Sequence, residues 1–305
     1  DLAAGWIEFC DRKIRQGIKI VSTVSLETLL RLAKAERPDG TGAVPDIFSL
    51  RRLDLFSYNE FLSFTHKPAG EQAVNEFLSR GAFPGLIKTG HTEALHQLYT
   101  EILCKDAVIA GGIRDRNTLQ RMALHLITNT GEPVTANKLR EKLKIKAVST
   151  AAEHMQCIET AGLVRFVSIL SDNPARQAVN PRKVYAVDTA LAAAVSTAET
   201  VDRNKLFETM LFNHLCRESR SVCYTNEQGG CDFIASDAEG GVRCIQACYD
   251  DDPDLMQTKT DGLLWALRQT GASRGTIVTA DRNDRIDAEN FEIEVIDADT
   301  FLGGY

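Results

Sequence analysis

Two apolar runs late in the chain constrain its fold more than any other feature. The first is Cys231-Asp232-Phe233-Ile234, which follows the glycine pair Gly229-Gly230. The second is Val242-Arg243-Cys244-Ile245-Gln246-Ala247-Cys248-Tyr249. Runs of this length, bounded by turn residues, read as neighbouring strands. A hairpin with an acid on its first strand and an acid-x-lysine on its second would hold a divalent cation and a polarised water. Here the first acid is present as Asp232, Gln246 stands at the second acid position, and Cys248 stands at the lysine position. A plain alternation of polar and apolar residues on a sheet would also produce Asp232-Phe233.

At 305 residues the chain is long for one core, so two or three domains are expected. Its 44% apolar and 25% charged residues are ordinary for a soluble globular protein. The net charge of −7 excludes a global electrostatic footprint for DNA or RNA, so any such contact must come from a local patch. No apolar run approaches the roughly 18 residues of a bilayer span, and no membrane partner is expected. The first residue is Asp1, no signal peptide opens the chain, and a cytoplasmic setting is expected. The eight cysteines include no C-x-x-C pair, which argues against zinc, and their apolar neighbours suit reduced, buried thiols.

Several elements can be read along the chain. A helix over 6–15 ends at Gly17, and a buried strand over 18–23 follows. Ser25 caps a helix carrying Leu26, Leu29, Leu30 and Ala33, and residues 37–42 form a loop. A strand over 47–55 leads to a Ser57-capped helix with Glu60, Phe61 and Leu62. Residues 71–129 are helical, with Leu119, Met122, Ala123, Leu126 and Ile127 on one face. A helix begins near Thr135, and Thr150 with Glu153 forms a capping box for the next helix, which runs to 161. Strands at 163–170 and 184–187 follow. Three helices and a hairpin are the plan of a winged helix. Beyond Asp188, helices near 188, at 206–216 and at 263–270 alternate with strands near Val222, Asp232, Ile245, 276–279 and 292–296. Residues 250–254 read as an acidic turn, and the whole region reads as an α/β layer.

Three sets of residues could carry function. Glu208, on the helix before the hairpin, would be the outer acid beside Asp232 and Gln246. Arg243 or Lys259 could supply the missing cationic side chain. That frame is a structural relic, a weak metal or DNA site, or an active nuclease. Lys138, Arg140, Lys142, Lys144 and Lys146 form a basic stretch suited to phosphates. The helix that follows offers Glu153, His154, Gln156 and Glu159, a poor set for reading base edges, so a protein-linking role stands beside DNA contact. Thr23 and Ser25 sit where a strand's carboxyl end can face a phosphate, although simple capping by Ser25 explains it equally. No phosphate loop of the form G-x-x-x-x-G-K-[ST], no G-x-S-x-G elbow and no H-E-x-x-H occurs.

Taken in order, these pieces resemble the prokaryotic AAA-type ATPases, the archaeal-ATPase-like or DEXX-box group. In that group a P-loop domain precedes a winged helix and a C-terminal nuclease-like domain. The segment 17–25 looks like the strand that ends in a sensor Ser/Thr. The segment 50–62, with Arg51-Arg52 and Glu60-Phe61-Leu62, looks like the group's arginine, L-P-L-S-F and E-F-L stretch. Gly81-Ala82-Phe83-Pro84 is similar to its G-G-F-P, and Lys105-Asp106 and Arg116-Asn117 follow in place. The resemblance implies an α/β multidomain fold with a PD-(D/E)XK nuclease-like C-terminal domain. It divides the chain at 1–66 (end of the ATPase core), 67–130 (helical linker), 131–187 (winged helix) and 188–305 (degenerate nuclease-like domain). It implies that Thr23 or Ser25 is the γ-phosphate sensor and that Arg51 or Arg52 completes the site. It also implies ATP and Mg²⁺ as ligands of a longer protein whose phosphate loop precedes Asp1, and none for this fragment, which would not hydrolyse ATP by itself. The partner would be a nucleic acid or another protein.

Overall fold

The structure, a computed structural model, describes residues 6–23, 52–88, 92–105, 113, 115–171, 173, 180–196, 202–227, 229–250, 252–288 and 290–304. It is a mixed α/β architecture with two sheets. Helix α1 (Trp6–Arg15) comes first. It is followed by α2 (Tyr58–Thr65), α3 (Glu71–Arg80), the short α4 (Pro84–Ile87), α5 (Thr92–Ile102) and α6 (Arg116–Thr128). Then come β1 (Pro133–Val134), α7 (Ala136–Leu143), α8 (Val148–Thr160), β2 (Val164–Val167) and β3 (Arg182–Ala186). The rest comprises α9 (Thr189–Val195), α10 (Arg203–Glu218), β4 (Ser221–Thr225), β5 (Cys231–Ser236), β6 (Val242–Cys248), α11 (Pro253–Thr270), β7 (Arg274–Thr279), β8 (Asp284–Ala288), β9 (Phe291–Asp297) and α12 (Ala298–Gly303).

Local chemistry accounts for most of these boundaries. Ser57 and Glu60 form a reciprocal capping box on α2, Asp115 caps α6 and Thr135 caps α7. The five apolar residues expected on one face of α6 are all buried. Helix α11 starts well before the expected position because Asp252 accepts from the backbone of Asp254 and Leu255, with Pro253 in the first turn. The acidic run is therefore a helix start. Helix α8 begins at Val148, and its N-cap is Ala147, which makes no side-chain bond; Thr150 falls inside the first turn, so the expected capping box does not form.

Two expected strands are absent. Residues 18–23 have no strand geometry, and Val21 is 97% exposed. A strand needs a neighbour for its backbone groups, and among the described residues none pairs with this segment. The strand expected over 47–55 fails likewise where it is described. Residues 52–55 form a strap tied down by its flanks: Phe56 N–H donates to Ala82 O at 3.0 Å, and Arg217 donates to Leu55 O. Ser25, its helix and the loop at 37–42 lie outside the described residues.

The smaller sheet has the order β1-β3-β2, all antiparallel. The larger has the order β4-β5-β6-β7-β9-β8. Its first three strands form an antiparallel meander, α11 crosses over to a parallel β7, and β9 is again parallel. The two sheets touch. The continuation of β2 runs beside β4, where Leu170 N–H donates to Tyr224 O at 2.7 Å and Tyr224 N–H donates to Ser168 O at 3.2 Å.

One apolar core runs from Tyr58 and Phe77 through α6, β3 and α10 to Phe233 and Phe301, and so crosses the expected boundary at 187–188. A second core lies between the opposite face of the larger sheet and α11. Asp188 sits at that boundary. Its carboxylate accepts from Leu191 N–H at 2.7 Å, capping α9, and from Ala82 N–H at 2.6 Å, which ties α9 to the turn after α3. Gly81 in that turn has φ +70°, and a Cβ there would overlap the same carboxylate. Both the backbone and the space require glycine. Gly81→Ala is expected to cost about 1–3 kcal/mol in urea unfolding. Gly85→Ala, where nothing lies within 4 Å, should be neutral or slightly stabilising.

Candidate functional site

Four elements bring charged side chains to one buried point. On β3, Lys183 and Tyr185 are two residues apart and so share a face. Tyr185 stacks on Phe212 of α10, with ring centroids 4.2 Å apart, and lies 5.9 Å from Phe233 of β5. That packing aims β3 at the start of the larger sheet. Helix α10 presents Glu208, and β5 presents Asp232. Helix α11 comes close enough to add Lys259 because residue 262 is glycine: a Cβ there would overlap Gly230 O, so only hydrogen fits at the closest approach.

The Lys183 ammonium donates to Glu208 Oε1 at 2.8 Å and to Asp232 Oδ1 at 3.1 Å. Lys259 takes the other oxygen of Asp232 at 2.5 Å, and Ala247 N–H donates to that oxygen at 3.1 Å. Tyr185 O–H donates to Glu208 Oε1 at 2.5 Å. These charged side chains are only 10–18% exposed. Two ammonium groups therefore face two carboxylates, and the buried charges balance.

Burial alone would push the Asp232 carboxyl up, but Lys259, Lys183 and the Ala247 N–H outweigh it and hold Asp232 well below the usual carboxylate range. Burial alone would lower both lysines. Glu208 and Asp232 outweigh it for Lys183, as does Asp232 above all for Lys259, and both pKa values lie above the ordinary lysine value. Tyr185 is raised by burial and then by the neighbouring carboxylates, so its hydroxyl stays protonated and remains a donor.

Neither lysine is therefore a free amine nucleophile, which would need a depressed pKa. The carboxylates do not fit a metal ion either, since each already faces an ammonium group. Among the described residues, no group of three or more His, Cys, Asp or Glu could hold one.

Gln246 does not face this point as a ligand. Its Oε1 accepts from Asp232 N–H at 3.1 Å, while its Nε2 donates to Gly230 O at 2.7 Å and Lys259 O at 3.0 Å. It fastens the turn before β5 to α11. Cys248 is buried, with Sγ 3.4 Å from Asp250 O. Of the two candidate replacements for the missing lysine, Lys259 reaches Asp232, whereas Arg243 lies beside Glu218 at 3.9 Å.

Lys183 and Tyr185 are the residues that the sequence reading passed over. The available signal was a lysine two places before a tyrosine at the start of the apolar run Val184-Tyr185-Ala186, since lysine is rarely buried without a partner.

The other predicted residues lie apart from this site. Lys138, Lys142, Lys144 and Lys146 are exposed on α7 and the turn before α8, while Arg140 is half-buried and bonds Asn137 and Glu141. On α8, Glu153 and Gln156 are exposed, His154 is buried, and Glu159 accepts from Phe166 N–H. Thr23 is exposed at the end of the non-strand segment, and Ser25 and Arg51 lie outside the described residues. Arg52 pairs with Asp54 at 2.9 Å, and Asp54 also binds Arg165 of β2 at 2.8 Å.

A family model described as a domain of unknown function (DUF8612) matches residues 71–202. The match takes in Lys183 and Tyr185 and stops just before α10, so Glu208, Asp232 and Lys259 lie beyond it. No curated protein and no solved structure matches the chain. No helix of the described residues is long and apolar enough to cross a membrane.

The bonding of Gln246 yields a sharp expectation for the variant that restores an acid. Gln246→Glu would set a carboxylate against the Gly230 and Lys259 carbonyls, in place of the amide that donates to both. It should destabilise the fold by about 2–3 kcal/mol in denaturant unfolding and confer no nuclease activity.

Proposed function

We propose that this chain is the non-cleaving output arm of an AAA-type ATPase, in which a winged helix is fused to a nuclease-like layer that has turned from cutting to binding. The observation that carries the reading is the pairing of Asp232 with both Lys183 and Lys259, at 3.1 and 2.5 Å. An active centre of this kind needs its acids free for a cation and a water, and here internal ammonium groups hold them. The strand order β4-β5-β6, the α11 crossover and a parallel β7 agree with a nuclease-like layer. The run α6, α7, α8, β2, β3, with the short β1 at the sheet edge, agrees with a winged helix.

The ATPase part of the proposal rests on the resemblance. ATP and Mg²⁺ would bind in the longer protein, with the strap around Arg52 next to that site. The strap is tied to β2 through Asp54–Arg165 and to α10 through Arg217, which also pairs with Glu60 at 3.1 Å. Those ties give a path by which a nucleotide-dependent movement would reach the rest of the chain.

The surface favoured for nucleic acid is the lysine set on α7 and the following turn. Its lysines are exposed, and α8 starts beside them without a side-chain cap. A protein partner is the second reading, favoured by Val148, which is 44% exposed at the start of α8, and by the acids further along that helix.

Purified chain is expected to turn over no ATP and to leave duplex and single-stranded DNA uncut in Mg²⁺ or Mn²⁺. It should bind duplex DNA at low salt. Lys142→Ala and Lys144→Ala should each lower the slope of log K against log salt by about 1, as read by fluorescence anisotropy. Cleavage that disappears in Asp232→Asn would overturn the non-cleaving reading. DNA binding that is absent at low salt would leave the protein-partner reading in its place.

A further inference from the structure

The Lys183 ammonium stands in a distinctive place. Among the described residues it is the one group that touches both Glu208 and Asp232, at 2.8 and 3.1 Å, and it comes from a strand of the other sheet. An ammonium at those distances does for two carboxylates what a hard divalent cation does at about 2.0–2.6 Å: it neutralises them and fixes their oxygens on a common point. It lies over the ring of Tyr224, 5.5 Å from the centroid, and Tyr185 O–H holds the same oxygen of Glu208. The second oxygen of Asp232 is engaged by Lys259 and a backbone N–H, and Gln246 is turned away to the backbone.

We propose that Lys183 is the resident cation of the Glu208–Asp232 pair, so that occupancy by its ammonium and occupancy by a divalent metal exclude each other. The smaller sheet thereby carries the counter-ion of the larger one. The pair is silent toward metal because its cation is covalently tethered; its oxygens remain able to coordinate. A metal enters only when the Lys183 side chain is removed or withdrawn. This inference deepens the non-cleaving reading of the site and is independent of the ATPase assignment.

Mn²⁺ binding to the full chain tests it, by thermal unfolding and titration calorimetry. Wild type should show no saturable response up to about 10 mM. Lys183→Ala should gain a saturable rise in Tm of several degrees, with a Kd on the order of 10⁻³ M or tighter. Adding Asp232→Asn to it should abolish the gain. Lys183→Met, which keeps most of the side chain's length without its charge, serves as the second variant should the alanine form fold poorly. Absence of any Mn²⁺ response in whichever variant folds, or a response that survives Asp232→Asn, overturns the inference alone. Wild type that binds Mn²⁺ as tightly as the variant overturns both the inference and the metal-free reading of the site.

Discussion

A single ammonium group shared by two carboxylates from different elements links the smaller sheet to the larger layer, beside the backbone bonds between the end of β2 and β4. Burying one charge in an apolar interior is very costly, and burying a balanced set is tolerable only when every member finds its partners. Lys183, Lys259, Glu208 and Asp232 meet that condition together, with Tyr185 and the Ala247 N–H completing the set. The apolar stacking of Tyr185, Phe212 and Phe233 supplies the attraction around it. The charge set decides the register, because a slip of one residue on β3 would send Lys183 and Tyr185 to the opposite face.

The same arrangement does not suit the chemistry that the hairpin suggests. A cleaving centre needs acids with free oxygens and a lysine poised near water. Here Gln246 is committed to three backbone groups and Cys248 lies in the apolar core. Lysines from β3 and α11 satisfy the remaining acid. Gln246 is a fastener between backbone groups, and the carboxylates belong to an ion-pair network. The outward surface carries the exposed lysines of α7, and the strap at Arg52–Asp54 is linked into β2.

Much of the larger layer was legible in the sequence, because its signals are local. The turn-bounded apolar runs around Asp232 and Ile245, the face of α6 and the Ser57–Glu60 capping box each follow from spacing within a few residues. The failures share a different cause. Residues 18–23 have the composition of a strand, but a strand exists only beside another, and among the described residues none pairs with them. The site was half legible. Asp232 and Glu208 stand out as acids in apolar surroundings, and Lys259 was a named candidate. Lys183 was hidden because its partners lie 25 and 49 positions away in sequence, and no local pattern announces a contact between separate elements. The same holds for Gly262, whose role appears only once Gly230 O is placed beside it.

The most direct test of the shared ammonium is a double-mutant cycle between Lys183→Met and Glu208→Gln, read as unfolding free energy in urea at neutral pH. The account predicts that each single change destabilises, because each leaves a buried charge without its partner. It also predicts that the pair together costs less than the sum, with a coupling of about 2 kcal/mol or more. Additive effects, with coupling near zero, would contradict it and would mean that apolar packing and the β2–β4 backbone bonds set the two sheets together without the shared ammonium.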